Sequence, residues 1–462
     1  MGKYLYGASV QGIQGFIFET NKLQEIVGAS EIIKDIEDSF KEEIEKYKTK
    51  FIMSAAGNMK AVFYNKDELQ EFLLYFKKET LNKAYGLTFS EAVVEIEDNE
   101  PNSNERTILE ERLKIQRNRP SVPLDLSLNI TKLASSTARG AVLVDKEILD
   151  MASYQKREAY KKFLKDNPRN KEFKNISDFS NSKNKIAVIH IDGNGLGSLI
   201  KNLKGSISEF SKNLDNATKE AFRLSCDDSM DIREVILGGD DVTVICNANN
   251  ALKFTYKFLK NFELKTKDKL GSKLTACAGI AICNEKFPFH YAVDLAEELC
   301  KEAKKDAKKI NPDLAPSCLM FHNIQSSNFE NWDLYIENEL TIRNDKEEIR
   351  LDFGPYYLDE KEKPQIRDFI YLCEIYRFDD SPITRLRNWL SELDKNSYLA
   401  KALLKRINEV SSHDVLNSAT KVLQLFDNNL SSENLIIKKD SHYKTPIYDV
   451  LQIISNTQRS TR

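Results

Sequence analysis

Ile236-Leu237-Gly238-Gly239-Asp240-Asp241-Val242-Thr243-Val244-Ile245-Cys246-Asn247 is the stretch on which the fold turns. Two apolar runs, Arg233 to Leu237 and Val242 to Cys246, flank a Gly-Gly-Asp-Asp tip, which predicts a β-hairpin. Gly and Asp suit hairpin tips on conformational grounds alone. A two-residue turn, however, is expected to need Asp-Gly order, and here two acids stand side by side. Adjacent carboxylates repel and raise each other's pKa unless a cation lies with them. The tip therefore predicts a divalent-metal site.

Upstream, Lys185 to Asp192 reads as a strand that ends in a carboxylate and enters a helix through Gly193-Asn194-Gly195-Leu196-Gly197. Glycine lets backbone N–H groups turn outward without a Cβ clash, and such groups at a helix N-terminus hold phosphate oxygens. A tight strand-to-helix turn with Asp192 as N-cap accounts for the same residues without function. The hairpin is what tips the balance. Helices at Leu196 to Phe222 and Ala251 to Leu264, and a strand at Leu274 to Ile282, complete a β-α-β-β-α-β order. In that fold the first strand and the hairpin are neighbours, so Asp192 falls beside Asp240 and Asp241. Three carboxylates so placed can bridge two Mg²⁺ or Mn²⁺ ions about 3.5–4 Å apart. One ion would activate an attacking ribose hydroxyl and the other would neutralise a leaving pyrophosphate. Asp192, Asp240 and Asp241 are thus the candidate catalytic residues and metal ligands. Gly193, Asn194, Gly195, Gly197 and Gly239 are candidate nucleotide contacts. An extra helix, Tyr291 to Lys309, carries Lys301, Lys304 and Lys308 on one face, which a solvated surface would also explain.

The same order occurs near the start of the chain: Lys3 to Val10, a long helix from Gly15 to Tyr47, Phe51 to Ala55, Lys60 to Tyr64, a helix from Asp67 to Asn82, and Leu87 to Ile96. Aligning the hairpins lays Asn58 on Asp240 and Met59 on Asp241, whereas the first strands lay Ser9 on Asp192 with a register one residue different. The acids are absent from the first copy, which is read as degenerate: either a second nucleotide site or a structural platform. The fold class predicted is α+β, with two ferredoxin-like palm domains and a mainly helical C-terminal domain. The expected boundaries are 1–97 for the first palm, 98–184 for a connecting region, 185–322 for the second palm and 323–462 for the tail, where Lys363 to Phe378, Ser381 to Lys395 and Ser397 to Val410 have helical periodicity.

At 462 residues the chain exceeds one ordinary core. Its net charge of -3 argues against a protein that coats nucleic acid. The start lacks a signal pattern, no run nears the ~20 apolar residues of a membrane span, and the seven cysteines form no CxxC pair. These features predict a cytoplasmic protein without membrane association. His413-Asp414 lacks the further His and Asp residues of a phosphohydrolase cage, and His190, inside an apolar strand, reads as a core residue.

Ile191-Asp192-Gly193-Asn194-Gly195-Leu196-Gly197, Leu237-Gly238-Gly239-Asp240-Asp241, Ala278-Gly279-Ile280-Ala281 and Ala303-Lys304 together resemble the second palm domain of the palm-polymerase large subunit of type III CRISPR effector complexes. Gln11-Gly12-Ile13-Gln14-Gly15-Phe16-Ile17, with Leu23 through Ala29-Ser30-Glu31, resembles that family's first palm. The resemblance implies a synthetase that joins NTP, ATP above all, into cyclic oligoadenylates in antiviral defence. It implies that Lys304 approaches the phosphates, and that guide or target RNA and effector subunits are partners. The family's histidine-aspartate nuclease domain has no counterpart here, so no DNase activity is expected. Its cysteine zinc site is missing from Ser135-Ser136-Thr137-Ala138-Arg139-Gly140-Ala141, which suits a stand-alone cyclase. The competing readings are an RNA-binding scaffold subunit and a diguanylate-type cyclase; the latter is opposed by Val242 after the acids and by the degenerate first copy.

Overall fold

The computed structural model describes residues 2–55, 57–119, 130–144, 147–166, 173–201, 207–227, 230–325, 331–343, 348–439 and 441–458. They form two compact units: Met1–Asp178 with Leu196–Asn216, and Phe179–Gly195 with Ala217–Arg462.

In the first unit, β1 (Lys3–Gln11), α1 (Ile13–Ile17), α2 (Leu23–Ile44), β2 (Thr49–Ala55), β3 (Asn58–Phe63), α3 (Lys66–Lys83) and β4 (Thr88–Ile96) build a four-stranded sheet in the order β2-β3-β1-β4. This is the predicted β-α-β-β-α-β unit. Its core is aromatic: Tyr6, Phe40, Phe63, Phe72 and Phe76 are buried, with Tyr6 and Phe72 ring centroids 5.2 Å apart. The opposite face packs Leu5, Val62, Val94 and Ile96 against Leu109 and Leu113 of α4 (Ser103–Arg117). That helix starts with a capping box between Asn102 and Glu105. A small hairpin, β5 (Leu143–Val144) and β6 (Ile148–Leu149), leads into α5 (Met151–Asp166).

The single long helix expected over Gly15 to Tyr47 is instead two helices. The break is held by polar contacts with α5. Lys156, 1% exposed, donates from Nζ to Phe16 O at 2.7 Å and Glu19 Oε2 at 2.8 Å. Thr20 donates to Glu25, whose carboxylate also takes Arg157. A Cβ on Gly28 would lie 1.7 Å from Lys156 O, so α2 and α5 can approach this closely only through a glycine.

The second unit is built on β7 (Lys185–Gly193). The chain continues through α6 (Leu196–Lys201) and α7 (Ile207–Ser225). Then come β8 (Ile232–Gly238), β9 (Asp241–Asn247), α8 (Ala251–Leu270), β10 (Ala276–Asn284), α9 (Phe289–Ile310) and β11 (Cys318–Asn323). Beyond them lie α10 (Trp332–Glu339), β12 (Thr341–Arg343), β13 (Glu348–Arg350) and β14 (Tyr356–Tyr357). The rest comprises α11 (Ile366–Ile375), α12 (Ile383–Lys395), α13 (Ser397–Val410), α14 (His413–Phe426), β15 (Ile437–Lys439), β16 (His442–Lys444) and α15 (Ile447–Asn456). The sheet has six strands, ordered β14-β11-β10-β7-β9-β8, with β10 and β11 parallel. Sequence periodicity had offered four. The extra pair arises because β11 and β14 bring the C-terminal segment into the same sheet and the same unit. Among the described residues no helix is long and apolar enough to cross a membrane.

Alternation along β7 and β10 puts His190, Asp192, Cys277 and Gly279 on the face that α9 crosses. A Cβ on Gly279 would stand 1.9 Å from Ala296 O and 2.5 Å from Cys300 N, both backbone atoms of α9. Gly279→Ala should therefore cost about 3 kcal/mol by forcing the helix off the sheet, read as a lowered urea midpoint.

In the C-terminal segment the carboxyl of Asp449 is fully enclosed and pushed up to about 7, chiefly by burial; the Tyr356 hydroxyl donating at 2.8 Å opposes the rise, and Asp352 adds to it. Between about pH 4 and pH 7 the folded chain keeps a proton that the unfolded chain has released, so this group makes stability fall as pH rises. Asp449→Asn should gain on the wild type progressively across that window and no further above it, in urea titrations at stepped pH.

Candidate active site

The register of two strands builds the site. β7 and β9 are antiparallel with Asp192 opposite Asp241, so both side chains project on one face with Cβ atoms about 4.5–5.5 Å apart. Across the next strand Cys277 lies opposite Asp192, and Cys318 opposite Cys277. Gly238 pairs with Asp241, which leaves Gly239 and Asp240 as the two central residues of the turn. Asp241 is therefore the first residue of a strand and not part of the tip. Gly239 has φ +61° at the first central position, the pattern of a type II′ turn, which takes Gly followed by another residue. The expectation that a two-residue turn needs Asp-Gly order holds for type I′ alone and is corrected here.

Both carbonyls of the tip are satisfied. Gly239 O accepts from the Thr218 hydroxyl at 2.5 Å, and Asp240 O accepts from Gly193 N–H at 3.2 Å. Gly239 itself has open space where a Cβ would be.

The acids repel. The Asp241 carboxyl is pushed up to about 7, first by burial and then by Asp192, Asp240 and Glu297. Its side chain is 38% exposed overall, yet Oδ1 is shut off from solvent and has no hydrogen-bond partner. The nearest ring nitrogen, His190 Nδ1, is 3.6 Å away and bonds Thr243 Oγ1 at 3.2 Å. Burial pushes His190 down to about 4, so it is a neutral core histidine near pH 7, as its strand position implied. Asp240 is raised as well, by burial and by Asp192.

Lys304 projects from α9 and places Nζ 2.6 Å from Asp192 Oδ2 and 2.6 Å from Gly193 O. Lys301, Lys305 and Lys309 instead pair with acids one turn back on their own helix. Of the glycine loop, Gly193 is tied to Lys304 through its carbonyl. Gly195 has φ +73° and would meet Asp313 O at 2.9 Å with a Cβ. Gly197 is exposed on α6, which belongs to the first compact unit. Asn194 departs from its expected role as a nucleotide contact. Its side chain is 1% exposed and donates inward to Thr275 Oγ1 at 3.2 Å and Ala315 O at 3.0 Å, so it anchors the loop. Thr218 was not singled out by the sequence; it is one polar residue among several on a helix. His413 and Asp414 open α14 and are exposed.

The first palm repeats the register with neutral residues. Ser9 pairs with Asn58 and donates to its Oδ1 at 3.1 Å. The offset between the palms is 183 at both positions (192 − 9 and 241 − 58), so Asn58 is the counterpart of Asp241 and not of Asp240.

Among the described residues no three His, Cys, Asp or Glu side chains stand together as a ready metal cage. Asp192 is drawn to Lys304. The donor chemistry nonetheless suits a hard divalent ion: Asp192 and Asp241 pair at one sheet end with Asp240 in the adjoining turn, and Asp241 has a buried oxygen without a partner. Lys304→Ala should lower stability by about 1 kcal/mol in metal-free buffer, the half-exposed pair being screened. Asp192→Asn in the same chain should recover most of the loss, as a double-mutant cycle in urea would report.

Residues 185–311 match the family model described as Cas10/Cmr2, second palm domain. No curated protein matches the chain. Among solved structures, a Csm1-Csm4 cassette in complex with cA4 is similar with TM-score 0.55 at 14% identity, over 98% of this chain and 69% of that one. The cassette in complex with pppApA gives 0.57 at 13%, over 99% and 70%. The cassette with one ATP gives 0.54 at 12%, over 99% and 70%. At such identities the likeness establishes the fold. Residues 185–311 thus match a palm domain of the Cas10/Cmr2 kind, and the chain shares its fold with these Csm1-Csm4 cassette structures.

Proposed function

We propose that the second palm joins NTP, ATP in the first instance, into cyclic oligoadenylate, with Asp192, Asp240 and Asp241 holding two Mg²⁺ or Mn²⁺ ions. The observation that carries this reading is the pairing of Asp192 with Asp241 beside a turn bearing Asp240, with a partnerless buried carboxylate oxygen among them. When bound, divalent ions supply charge neutralisation and lower the pKa of an attacking hydroxyl. The chain's own residues do the rest. Lys304 holds Asp192 in place and lies within reach of phosphates entering beside Gly193. Gly239 and the Gly193–Gly195 loop leave room for phosphate oxygens close to the backbone. His190, neutral and buried, fills the floor. Similar folds bound to cA4, pppApA and ATP support this choice of substrate and product.

The likeness of 98% of this chain to 69% of the matched chain in Csm1-Csm4 structures favours a second reading: the chain also works as a subunit of an RNA-guided effector complex. Co-purification with RNA and partner subunits distinguishes this from a stand-alone cyclase. The neutral Ser9–Asn58 pair confines metal chemistry to the second palm.

Incubation with each NTP and Mg²⁺ or Mn²⁺, followed by mass spectrometry, should yield an oligoadenylate from ATP. The double variant Asp240→Asn with Asp241→Asn should lower the rate by at least about a hundredfold, ligand loss exceeding the loss of an outer-shell partner. Equal rates would show that the chemistry lies elsewhere.

A further inference from the structure

The tip that bears Asp240 is gripped from two elements. From β7, Gly193 N–H reaches Asp240 O at 3.2 Å; from α7, the Thr218 hydroxyl reaches Gly239 O at 2.5 Å. The second grip acts on the peptide group between Gly239 and Asp240. A trans peptide is planar, so fixing its carbonyl also fixes the direction of its N–H. That N–H belongs to Asp240, so the same contact fixes the backbone from which the Asp240 carboxylate projects. Thr218 thus sets the backbone that carries the Asp240 side chain without touching that side chain.

The tether is needed because the backbone here is soft. Gly239 sits at φ +61° and has no Cβ to restrict its backbone. Types II′ and I′ differ by a flip of this same central peptide; glycine at the first position accepts both, and Asp240 at the second favours II′ because I′ would require it at positive φ. The hydroxyl holds the carbonyl on the α7 side and so reinforces the II′ form. Thr218 is 0% exposed, between Ala217 and Ala221 at 0% each, so water has no access to replace the hydroxyl.

We infer that Thr218 is a positioning residue for the acidic edge: its hydroxyl locks the Gly239–Asp240 peptide in the orientation that presents the Asp240 carboxylate to divalent ions. This rests on the reading of Asp240 as a metal ligand.

The test compares the full chain with Thr218→Val, which keeps shape without the hydroxyl, and Thr218→Ser, which keeps the hydroxyl. Mn²⁺ dissociation is followed by the electron paramagnetic resonance of the free ion, and turnover of ATP with Mn²⁺ is split into kcat and KM. The valine variant should weaken Mn²⁺ binding and lower kcat by about tenfold, with KM nearly unchanged, while serine should stay within about twofold of wild type in both. Thr218→Ala takes the place of valine should that variant not fold. Wild-type Mn²⁺ binding and kcat in the valine variant, or equal losses in valine and serine, would overturn the inference while leaving the acids in place. A wild-type chain that neither binds Mn²⁺ nor consumes ATP would bring down the reading of the acids, and the role of Thr218 with it.

Discussion

Everything at the site follows from the pairing of Asp192 with Asp241 across adjacent antiparallel strands. That register sets two acids on one face at cross-strand distance, which costs stability, since like charges directly opposite are unfavourable. The fold answers with what it has. Lys304 sits against Asp192, and burial beside the other acids pushes the Asp241 carboxyl up to about 7, which favours its neutral form. An arrangement that a sheet has no structural reason to keep is maintained by two makeshift counter-charges. Divalent ions would replace both, and that is the physical basis of the metal chemistry proposed for this place.

The duplicated palm supplies an internal control. The same register in the first unit holds Ser9 and Asn58, which hydrogen-bond to each other and leave no charge to compensate. The first palm can therefore spend its residues on an aromatic core and on tight packing of α2 against α5 around Gly28 and Lys156. The second palm keeps polar groups at the ends of its central strands and stabilises them from outside, through α9 on one side and the Thr218 hydroxyl on the other. One topology thus carries two opposed acids at this register in the second unit and a neutral pair in the first.

What the sequence disclosed follows physical lines. Both β-α-β-β-α-β units, the three helices from Ile366 to Val410 and the proximity of the three acids were legible, because apolar periodicity and turn residues carry them. The register between the palms was off by one at the hairpin, because aligning Gly with Gly ignores that Gly57 and Gly239 occupy different positions of their turns: Gly57 directly precedes the strand residue Asn58, whereas Asp240 intervenes after Gly239. The helix break at residues 18–22 was hidden, since it depends on Lys156, 137 residues from Glu19. The turn of Asn194 toward Thr275 and Ala315 was hidden for the same reason. β11 and β14 were missed as members of the sheet because pairing partners are a tertiary property that alternation does not name.

Lys304 shows how far a long-range constraint can be read and where it stops. Its place on a helical face with other lysines gave no reason to prefer it; resemblance alone did. The structure supplies the cause. Gly279 lets α9 lie against β10 closely enough that a side-chain methyl would collide with its backbone, and Ala296, Ala303 and Ala307 keep that face of the helix small. Only with the helix so close does a lysine one turn beyond Cys300 span the gap to Asp192 and Gly193 at once. The small residues in Ala278-Gly279-Ile280-Ala281 and Ala303-Lys304 are thus two halves of one device: the first sets the depth of the helix, and the second uses it.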